Sequence, residues 1–324
     1  MSEIRKHYFL DEYCIIASDR GKRPSAAEAR DVGRASSGCV FCQGNEDRTP
    51  PATAVYKGGE ILRDGEGQRV SGWDVRCIPN MFPALSPDTE EVSSPDPEIM
   101  QGYGFHEVIV ESPRHEDRLN LFSDEKMLFL MQVYRDRVMY YRSRDGVRYV
   151  SLFKNLGKKA GASLGHTHSQ LIAIPFVPPS LQKEIRAIEG LDKCPYCVIV
   201  EKEIDSQRLV CRNQDFVVIA PFCSKVPYEL WILPLEHVNH ISGFSDRLLL
   251  SLGKCLRSAI SRLDATIPEL AYNYMIFQAE EPDYHFNIRI QPATSIAAGF
   301  EKNTDIHINS IPPELAVKHL LDRE

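Results

Sequence analysis

The residues of this chain best suited to chemistry are His166 and His168, which stand two positions apart and are followed by Gln170. On a β-strand such a pair projects from one face, so one imidazole can hold a metal while the other reaches a ligand pocket as a nucleophile. Residues 161–165 (Gly-Ala-Ser-Leu-Gly) leave backbone N–H groups uncovered, which suits a bound anion. The pattern is typical of phosphoryl or nucleotidyl transfer through a phosphohistidine. Alone, it fits equally well two edge-strand histidines with no chemical role.

Two C-x-x-C pairs also have the spacing of a functional site, because it lets two thiolates share one tetrahedral metal ion. Each pair is followed by two histidines at similar distances along the chain, which predicts two sets of four ligands. The first ligand set is Cys39, Cys42, His115 and His166, and the second ligand set is Cys194, Cys197, His237 and His285. A single pair would also fit a redox motif, but the repetition with matching histidines favours zinc in both sets. A disulfide framework is not expected, because the cysteine count of 9 is odd and a chain this long can bury a core without disulfides.

The histidines of the two ligand sets belong to an internal repeat. Residues 108–115 and 230–237 each combine an apolar strand, a proline and a ligand histidine. Aligning residues 166–170 with 285–289 puts Asn287 at the position of the second histidine of the motif. An asparagine cannot carry a phosphoryl group as an imidazole can, so we expect the first half to be catalytic. The second half is then structural or contributes substrate contacts.

Composition and charge narrow the class of protein. The chain has 324 residues, of which 43% are hydrophobic, and a formal net charge of −7. These values fit one large or two modest globular domains, and the acidic balance argues against a surface that wraps nucleic acid. No apolar run approaches the roughly 20 residues of a membrane span, and the first residues lack the apolar core of a signal peptide. We therefore expect a cytoplasmic protein that binds neither nucleic acid nor membranes.

Each half is predicted to contain strands, one long helix and further strands, which gives an α+β fold with mainly antiparallel sheets and packed helices. Apolar residues at helical spacing predict a helix over residues 123–142 and its counterpart over about 245–263. The strands that carry the ligand histidines are predicted to begin at His166 and His285. A shorter helix from residue 178 joins the halves.

Five segments of the chain carry motifs that are specific in combination. They are residues 19–24 (Asp-Arg-Gly-Lys-Arg-Pro), 39–46, 75–85, 104–115 and 154–170. Together they resemble the galactose-1-phosphate uridylyltransferase branch of the histidine triad superfamily, over nearly the whole chain. The resemblance implies two tandem histidine-triad-like halves, a catalytic domain over 1–177 and a second domain over 178–324, in a homodimer. The second ligand set is similar to that of the plant-type ADP-glucose phosphorylase-like relatives.

The resemblance also implies roles for individual residues. His168 is expected to attack the α-phosphorus of a nucleoside diphosphate sugar and to hold the nucleotidyl group, while Gln170 and Ser163 hydrogen-bond the phosphoryl oxygens. Zinc is the expected cofactor at both ligand sets, and the first set anchors the strand that aims His168. The further positions expected to contact substrate are Arg20, Arg23, Asn80, Asn155 and Gly161, together with Glu301 at the hexose hydroxyls.

The leading function implied is a UDP-glucose:hexose-1-phosphate (galactose-1-phosphate) uridylyltransferase with ping-pong kinetics, whose partners are a nucleotide sugar and a hexose 1-phosphate. One alternative is an ADP-glucose phosphorylase that uses inorganic phosphate as second substrate. Others are a nucleotide hydrolase and a catalytically silent, zinc-stabilised nucleotide-binding protein. Met81 stands where an acid is expected near the ribose, and His307 lies near the place of a hexose-contacting glutamine. These departures leave the base and the hexose open.

Overall fold

The computed structural model describes residues 2–6, 12–17, 38–88 and 98–322, so that Arg20 and Arg23, with their basic segment, lie outside the described residues. Contacts between residues divide the chain into two compact units that interleave along the sequence. Unit 1 consists of Met1–Asp117, Asp136–Phe153 and Ser163–Glu184. Unit 2 consists of Arg118–Arg135, Lys154–Ala162 and Ile185–Glu324. The division into domains at residue 177 stays a prediction.

Unit 1 is built on antiparallel β-sheets. The strands of the first part of the chain are β1 (Ser2–Lys6), β2 (Tyr13–Ala17), β3 (Ala54–Lys57), β4 (Glu60–Leu62), β5 (Val75–Pro79), β6 (Ile99–Gln101), β7 (Phe105–Val110), β8 (Tyr149–Leu156) and β9 (His168–Ile174). The main sheet of the unit runs in the order β8-β9-β7-β5-β3-β4, and β2, β1 and β6 form a 3-stranded sheet of their own.

The register between β7 and β9 puts the candidate functional residues on one face. Val108 pairs with Gln170 and Val110 pairs with His168. Because side chains alternate along a strand, His106 lies on this face as well. All residues of β9 except one are buried, so a packed, inflexible strand carries the predicted nucleophile.

The apolar spacing of residues 123–142 is confirmed by helix α1, which spans Asp124–Arg142. The division between the two units falls inside α1, after Arg135. On the predicted apolar side of the helix, five residues are at most 1% exposed: Met127, Leu130, Met131, Tyr134 and Val138. The expectation was wrong for Met139, which is 47% exposed. The helix therefore forms because this side can be removed from water, as the spacing indicates.

The rest of the chain contains five further antiparallel strands and the remaining helices. The elements are α2 (Pro179–Ile188), α3 (Pro195–Glu203), β10 (Leu209–Arg212), β11 (Phe216–Ile219), β12 (Leu230–Pro234), α4 (Asp246–Thr266), β13 (Tyr272–Phe277), β14 (Asn287–Pro292), α5 (Gly299–Thr304) and α6 (Pro313–Leu321). The sheet of unit 2 runs in the order β10-β11-β12-β14-β13. Helix α4 begins after Ser245, whose side chain accepts a hydrogen bond from the backbone N–H of Leu248 at 3.3 Å.

The predicted α+β class with antiparallel sheets is confirmed. Two local expectations were wrong. The strands that carry the ligand histidines begin at His168 and Asn287, two residues later than predicted. The carbonyl groups of His166 and His285 accept hydrogen bonds from the side chains of His168 and Asn287, respectively. These carbonyl groups therefore do not take part in the hydrogen bonds between strands. Among the described residues, the structure contains no helix that is both long enough and apolar enough to span a membrane.

Helix α3, which contains part of the second C-x-x-C pair, was not predicted. Cys194 is its N-cap residue, and Pro195 occupies the first helical position, where the missing N–H costs nothing. The sequence Cys-Pro therefore opens a helix here rather than a turn. Cys197 lies in the first turn of α3, where burial and the neighbouring Cys194 raise the pKa of its thiol to about 11.

Candidate active site and metal centres

The first ligand set is assembled in unit 1. The ligand atoms of Cys39, Cys42, His115 and His166 all lie within 4.8 Å of one another. Each cysteine Sγ is 3.6 Å from His166 Nδ1, and Cys42 Sγ is 3.8 Å from His115 Nδ1. A zinc ion with Zn–S bonds of about 2.3 Å and Zn–N bonds of about 2.0–2.1 Å in tetrahedral geometry separates sulfur from nitrogen by about 3.6 Å. The donor set and its spacing therefore fit zinc.

Hydrogen bonds fix which nitrogen of His166 faces the sulfurs. Its Nε2 lies 2.7 Å from the carbonyl oxygen of Ser112, which can only accept, so Nε2 carries the proton and Nδ1 keeps its lone pair. Burial and, to a smaller extent, the neighbouring Cys39 together raise the pKa of the Cys42 thiol to about 11. A divalent cation is the group that allows both sulfurs to be thiolates at neutral pH.

The second ligand set repeats this arrangement in unit 2. Cys197 Sγ lies 3.5 Å from His237 Nδ1 and 3.6 Å from His285 Nδ1, and Cys194 Sγ lies 3.8 Å from His285 Nδ1. The Nε2 atoms of His237 and His285 donate to the carbonyl oxygens of Pro282 and Pro234, at 2.8 and 3.1 Å. Burial, and the neighbouring His237, lower the pKa of His285 to about 4. The ring is therefore neutral and ready to act as a ligand at pH 7.

The predicted nucleophile His168 is the first residue of β9 and is 6% exposed. Its Nδ1 lies 2.7 Å from the carbonyl oxygen of His166, so Nδ1 donates and Nε2 carries the lone pair. The edge of Phe41 packs against the ring, with centroids 5.3 Å apart. Because His166 belongs to the first ligand set, the group that orients His168 is itself anchored at that set.

Gln170 and Asn80 lie near His168 in the same unit and share a neighbour, His106, which the sequence analysis did not single out. Gln170 Oε1 is 3.0 Å from His106 Nε2, and Asn80 Nδ2 is 3.1 Å from the same nitrogen. Only the alternation of β7 could have drawn attention to His106, because it places the residue on the face of the predicted nucleophile. Ser163 is half-buried and also belongs to unit 1.

The glycine-rich segment before Ser163 contains Asn155 and Gly161, and both belong to unit 2. Gly157 and Gly161 have φ values of 81° and 83°, which favour glycine. A Cβ atom on Gly157 would also come within 2.7 Å of the side chain of Ala271, so the close approach excludes any larger residue.

Asn155 is held by a residue that the sequence analysis missed. Asn273 Nδ2 donates to the carbonyl oxygen of Ala160 at 2.9 Å and to Asn155 Oδ1 at 2.7 Å. Since the oxygen of the Asn155 amide is occupied, its NH2 group is the end that remains for a ligand. No sequence pattern pointed to Asn273, because its role depends on how the loop folds back in three dimensions.

Glu301, the predicted hexose contact, lies in helix α5 of unit 2. Its carboxylate accepts a hydrogen bond from the backbone N–H of Ala298 at 3.0 Å. Backbone hydrogen bonds at the start of the helix lower the pKa of this carboxyl group, so it is ionised at neutral pH. One role of Glu301 is therefore to cap a helix of six residues.

In unit 2, Asn287 makes the same local hydrogen bond as His168 does in unit 1. Its Nδ2 donates to the carbonyl oxygen of His285 at 3.0 Å. Arg289 then occupies the position that aligns with Gln170, and its Nε donates to Asn287 Oδ1 at 2.9 Å. The guanidinium lies against the rings of Phe277 and Trp231, at 4.0 and 4.8 Å from their centroids. The unit thus has its own ligand set, and Asn287 and Arg289 stand at the positions that align with His168 and Gln170 of unit 1.

A Cys-Cys-His-His ligand set occurs twice in this α+β chain, once in each unit. The family model described as a domain of unknown function (DUF4921) matches residues 119–323. The ADP-glucose phosphorylase of Arabidopsis thaliana is 30% identical over 98% of this chain and 91% of its own length. The galactose-1-phosphate uridylyltransferase of Thermotoga maritima is 28% identical over 100% of this chain and 99% of its own length.

A solved structure agrees with these relatives. The crystal structure of an ADP-glucose phosphorylase from Arabidopsis thaliana with bound ADP-glucose matches with a TM-score of 0.75 and 28% identity, over 99% of this chain and 98% of that chain. The chain therefore belongs to the galactose-1-phosphate uridylyltransferase family, which confirms the resemblance inferred from its motifs.

Proposed function

We propose that this protein is a nucleotidyltransferase that acts on nucleoside diphosphate sugars through a nucleotidyl-histidine formed at His168. The observation that supports this most directly is the hydrogen bond from His168 Nδ1 to the carbonyl oxygen of His166 at 2.7 Å. It places the proton of the neutral ring on Nδ1 and the lone pair on Nε2, the atom that we propose attacks phosphorus. The ring is buried and held at the start of a packed strand, so little reorientation is needed before the reaction.

In the first step His168 Nε2 forms a bond to the α-phosphorus while the bond to the sugar phosphate oxygen breaks, and a sugar 1-phosphate leaves. The positive charge that develops on the ring is stabilised by the Nδ1–H bond to the His166 carbonyl oxygen. Gln170 and Ser163 are the proposed donors to the phosphoryl oxygens, where negative charge increases. In the second step an oxygen of the acceptor phosphate attacks the same phosphorus, and the P–N bond breaks.

We further propose that both ligand sets hold structural zinc. The cysteine and histidine spacing fits a closed four-ligand site in each unit, and closed sites contribute stability rather than an open coordination position. Bound zinc would supply a cross-link between distant chain segments, which in unit 1 holds the backbone of His166.

We propose that the donor is an ADP-sugar and that the acceptor is inorganic phosphate. This pair of substrates corresponds to the activity of an ADP-glucose phosphorylase. The relative at 30% identity and the neighbouring structure that binds ADP-glucose support this assignment. The capping bond of Glu301 weakens the argument that its carboxylate serves a hexose acceptor. The uridylyltransferase activity expected from the sequence is the second candidate, because a uridylyltransferase matches the whole chain at 28% identity.

The test compares two donors and two acceptors. The protein is incubated with ADP-glucose or UDP-glucose labelled on the α-phosphate, and covalent label is measured with His168→Asn as the control. Labelled protein is then mixed with inorganic phosphate or galactose 1-phosphate. We expect labelling by ADP-glucose and release as ADP on addition of phosphate. Release as UDP-galactose would instead identify the uridylyltransferase. Release by water alone would identify a hydrolase, and no label with either donor would refute nucleotidyl transfer.

A further inference from the structure

His106 has a hydrogen-bonding partner at each ring nitrogen, and these partners determine its protonation state. Its Nδ1 lies 3.0 Å from the backbone nitrogen of Ala84. A backbone N–H can only donate, so His106 Nδ1 must accept and cannot carry a proton. The proton of the neutral ring is therefore on Nε2. The residue is 5% exposed, so the surrounding packing keeps the ring in this position.

The proton on Nε2 in turn determines the orientation of the Gln170 amide. Two side-chain amides face this nitrogen, at 3.0 Å (Gln170 Oε1) and 3.1 Å (Asn80 Nδ2). The Oδ1 atom of Asn80 accepts from the backbone N–H of Phe82 at 2.9 Å, so its NH2 group must point to the ring and cannot accept. The Nε2–H of His106 therefore donates to Gln170 Oε1. The NH2 group of Gln170 is the end of this amide that remains for an anion.

We propose that His106 is a positioning residue for the transfer step, which presents the NH2 group of Gln170 rather than its oxygen to the phosphoryl group. This inference rests on the proposed function, in which Gln170 donates to the phosphoryl oxygens. A Gln170 amide turned by half a rotation would direct its oxygen at those anionic oxygens and would repel them. His106 disfavours this rotation, because the rotated amide would withdraw the oxygen that accepts the Nε2–H and would add a second NH2 group beside that of Asn80. The register supports the arrangement, since His106 and Gln170 lie on the same face of β7 and β9.

Two substitutions of equal size separate this role from simple packing. His106→Gln can still donate a hydrogen bond to Gln170 Oε1, whereas His106→Glu can only accept and favours the rotated amide. The measurement is the rate at which His168 becomes labelled by ADP-glucose and UDP-glucose in a single turnover. We expect His106→Glu to be slower than His106→Gln by about 10- to 100-fold, as for the loss of a hydrogen bond to a charged group.

A double-mutant cycle then asks whether His106 acts through Gln170. In a Gln170→Ala background there is no amide to orient, so His106→Glu should cause no further loss of the labelling rate. A packing role predicts instead that the two losses multiply. Metal content and urea unfolding of each variant provide the control for correct folding. If His106→Glu does not fold, His106→Leu, which also lacks the donor, is used in the same cycle.

Equal rates for the Gln and Glu variants, or losses that multiply in the cycle, would overturn the inference while leaving the proposed function intact. Absence of label in the wild-type protein with both donors would overturn the proposed function, and the inference with it. A specific loss in the Glu variant that disappears when Gln170 is removed supports the inference.

Discussion

A buried ion pair behind β7 allows a quantitative prediction about what keeps this strand in place. Glu107 is 0% exposed and accepts hydrogen bonds from two nitrogens of Arg137, at 2.8 and 2.7 Å, and from Tyr141 at 2.9 Å. The hydroxyl of Thr53 also donates to this carboxylate. Burial by itself would lower the pKa of Arg137, but the charge of Glu107 raises it above its usual value, so the guanidinium stays charged.

The substitution Arg137→Met removes the positive charge and keeps most of the apolar stem. Glu107 would then be a buried carboxylate with only hydroxyl donors, and breaking a buried pair in this way costs about 3–5 kcal/mol. That is a large part of the roughly 5–15 kcal/mol that stabilises a typical protein. Adding Glu107→Gln removes the remaining charge, and the amide can still use Tyr141 and Thr53. We therefore expect the double variant to be more stable than Arg137→Met alone.

The assay is urea unfolding at pH 7 with saturating zinc, followed by a probe in unit 1. The matched control is Lys193→Met, because Lys193 pairs with Glu201 at 2.7 Å with both side chains more than half exposed. That exposed pair should change the free energy of unfolding by less than about 1 kcal/mol. An Arg137→Met effect as small as that of the control, or a double variant no more stable than the single one, would refute the reasoning.

Four further predictions concern the site and the metal centres. His168→Asn should abolish transfer while leaving zinc content and unfolding unchanged, because the residue is not a ligand; lost zinc or near-normal turnover contradicts this. Cys194→Ser should lose one zinc equivalent, measured by metal analysis, and should reduce activity mainly because the folded protein becomes less stable; an unchanged zinc content rejects the second site. Glu301→Ala should weaken any hexose 1-phosphate half-reaction, whereas Glu301→Gln keeps an oxygen for the Ala298 N–H and so separates the cap from the charge; equal loss in phosphorolysis would assign the effect to the cap. In metal-free protein the free energy of unfolding should fall as the pH drops from 6.5 to about 4, because His285 takes up a proton in the unfolded chain but not in the folded one. A free energy of unfolding, measured by denaturant titration, that does not change over this pH range would contradict the prediction.

The sequence predicted those parts of the structure that depend on repeated local spacing. Helix α1 followed from its apolar periodicity, because that pattern only has to match the geometry of one helix. The two ligand sets followed from the recurrence of cysteine and histidine spacing, and the structure brings each set within 4.8 Å. The roles assigned to the substrate-contacting residues remain predictions.

What the sequence could not predict depends on contacts between distant segments. The link between His106 and Gln170 requires the register of β7 with β9 and the return of the chain at Ala84. The link between Asn273 and Asn155 requires a loop that folds back toward β13. Helix α3 was missed for a different reason, since proline suits both a turn and the first position of a helix.

The hydrogen bond between Arg289 and Asn287 determines what a single substitution in unit 2 could achieve. Replacing Asn287 by histidine would restore an imidazole that bonds the His285 carbonyl through Nδ1. Its Nε2 would then face the N–H of Arg289 that Asn287 Oδ1 now accepts, so the lone pair needed for attack would already be occupied. A histidine at residue 287 would therefore reproduce the arrangement proposed for His168 only together with a second substitution at Arg289. Under the proposed function, this contact restricts nucleotidyl transfer to unit 1.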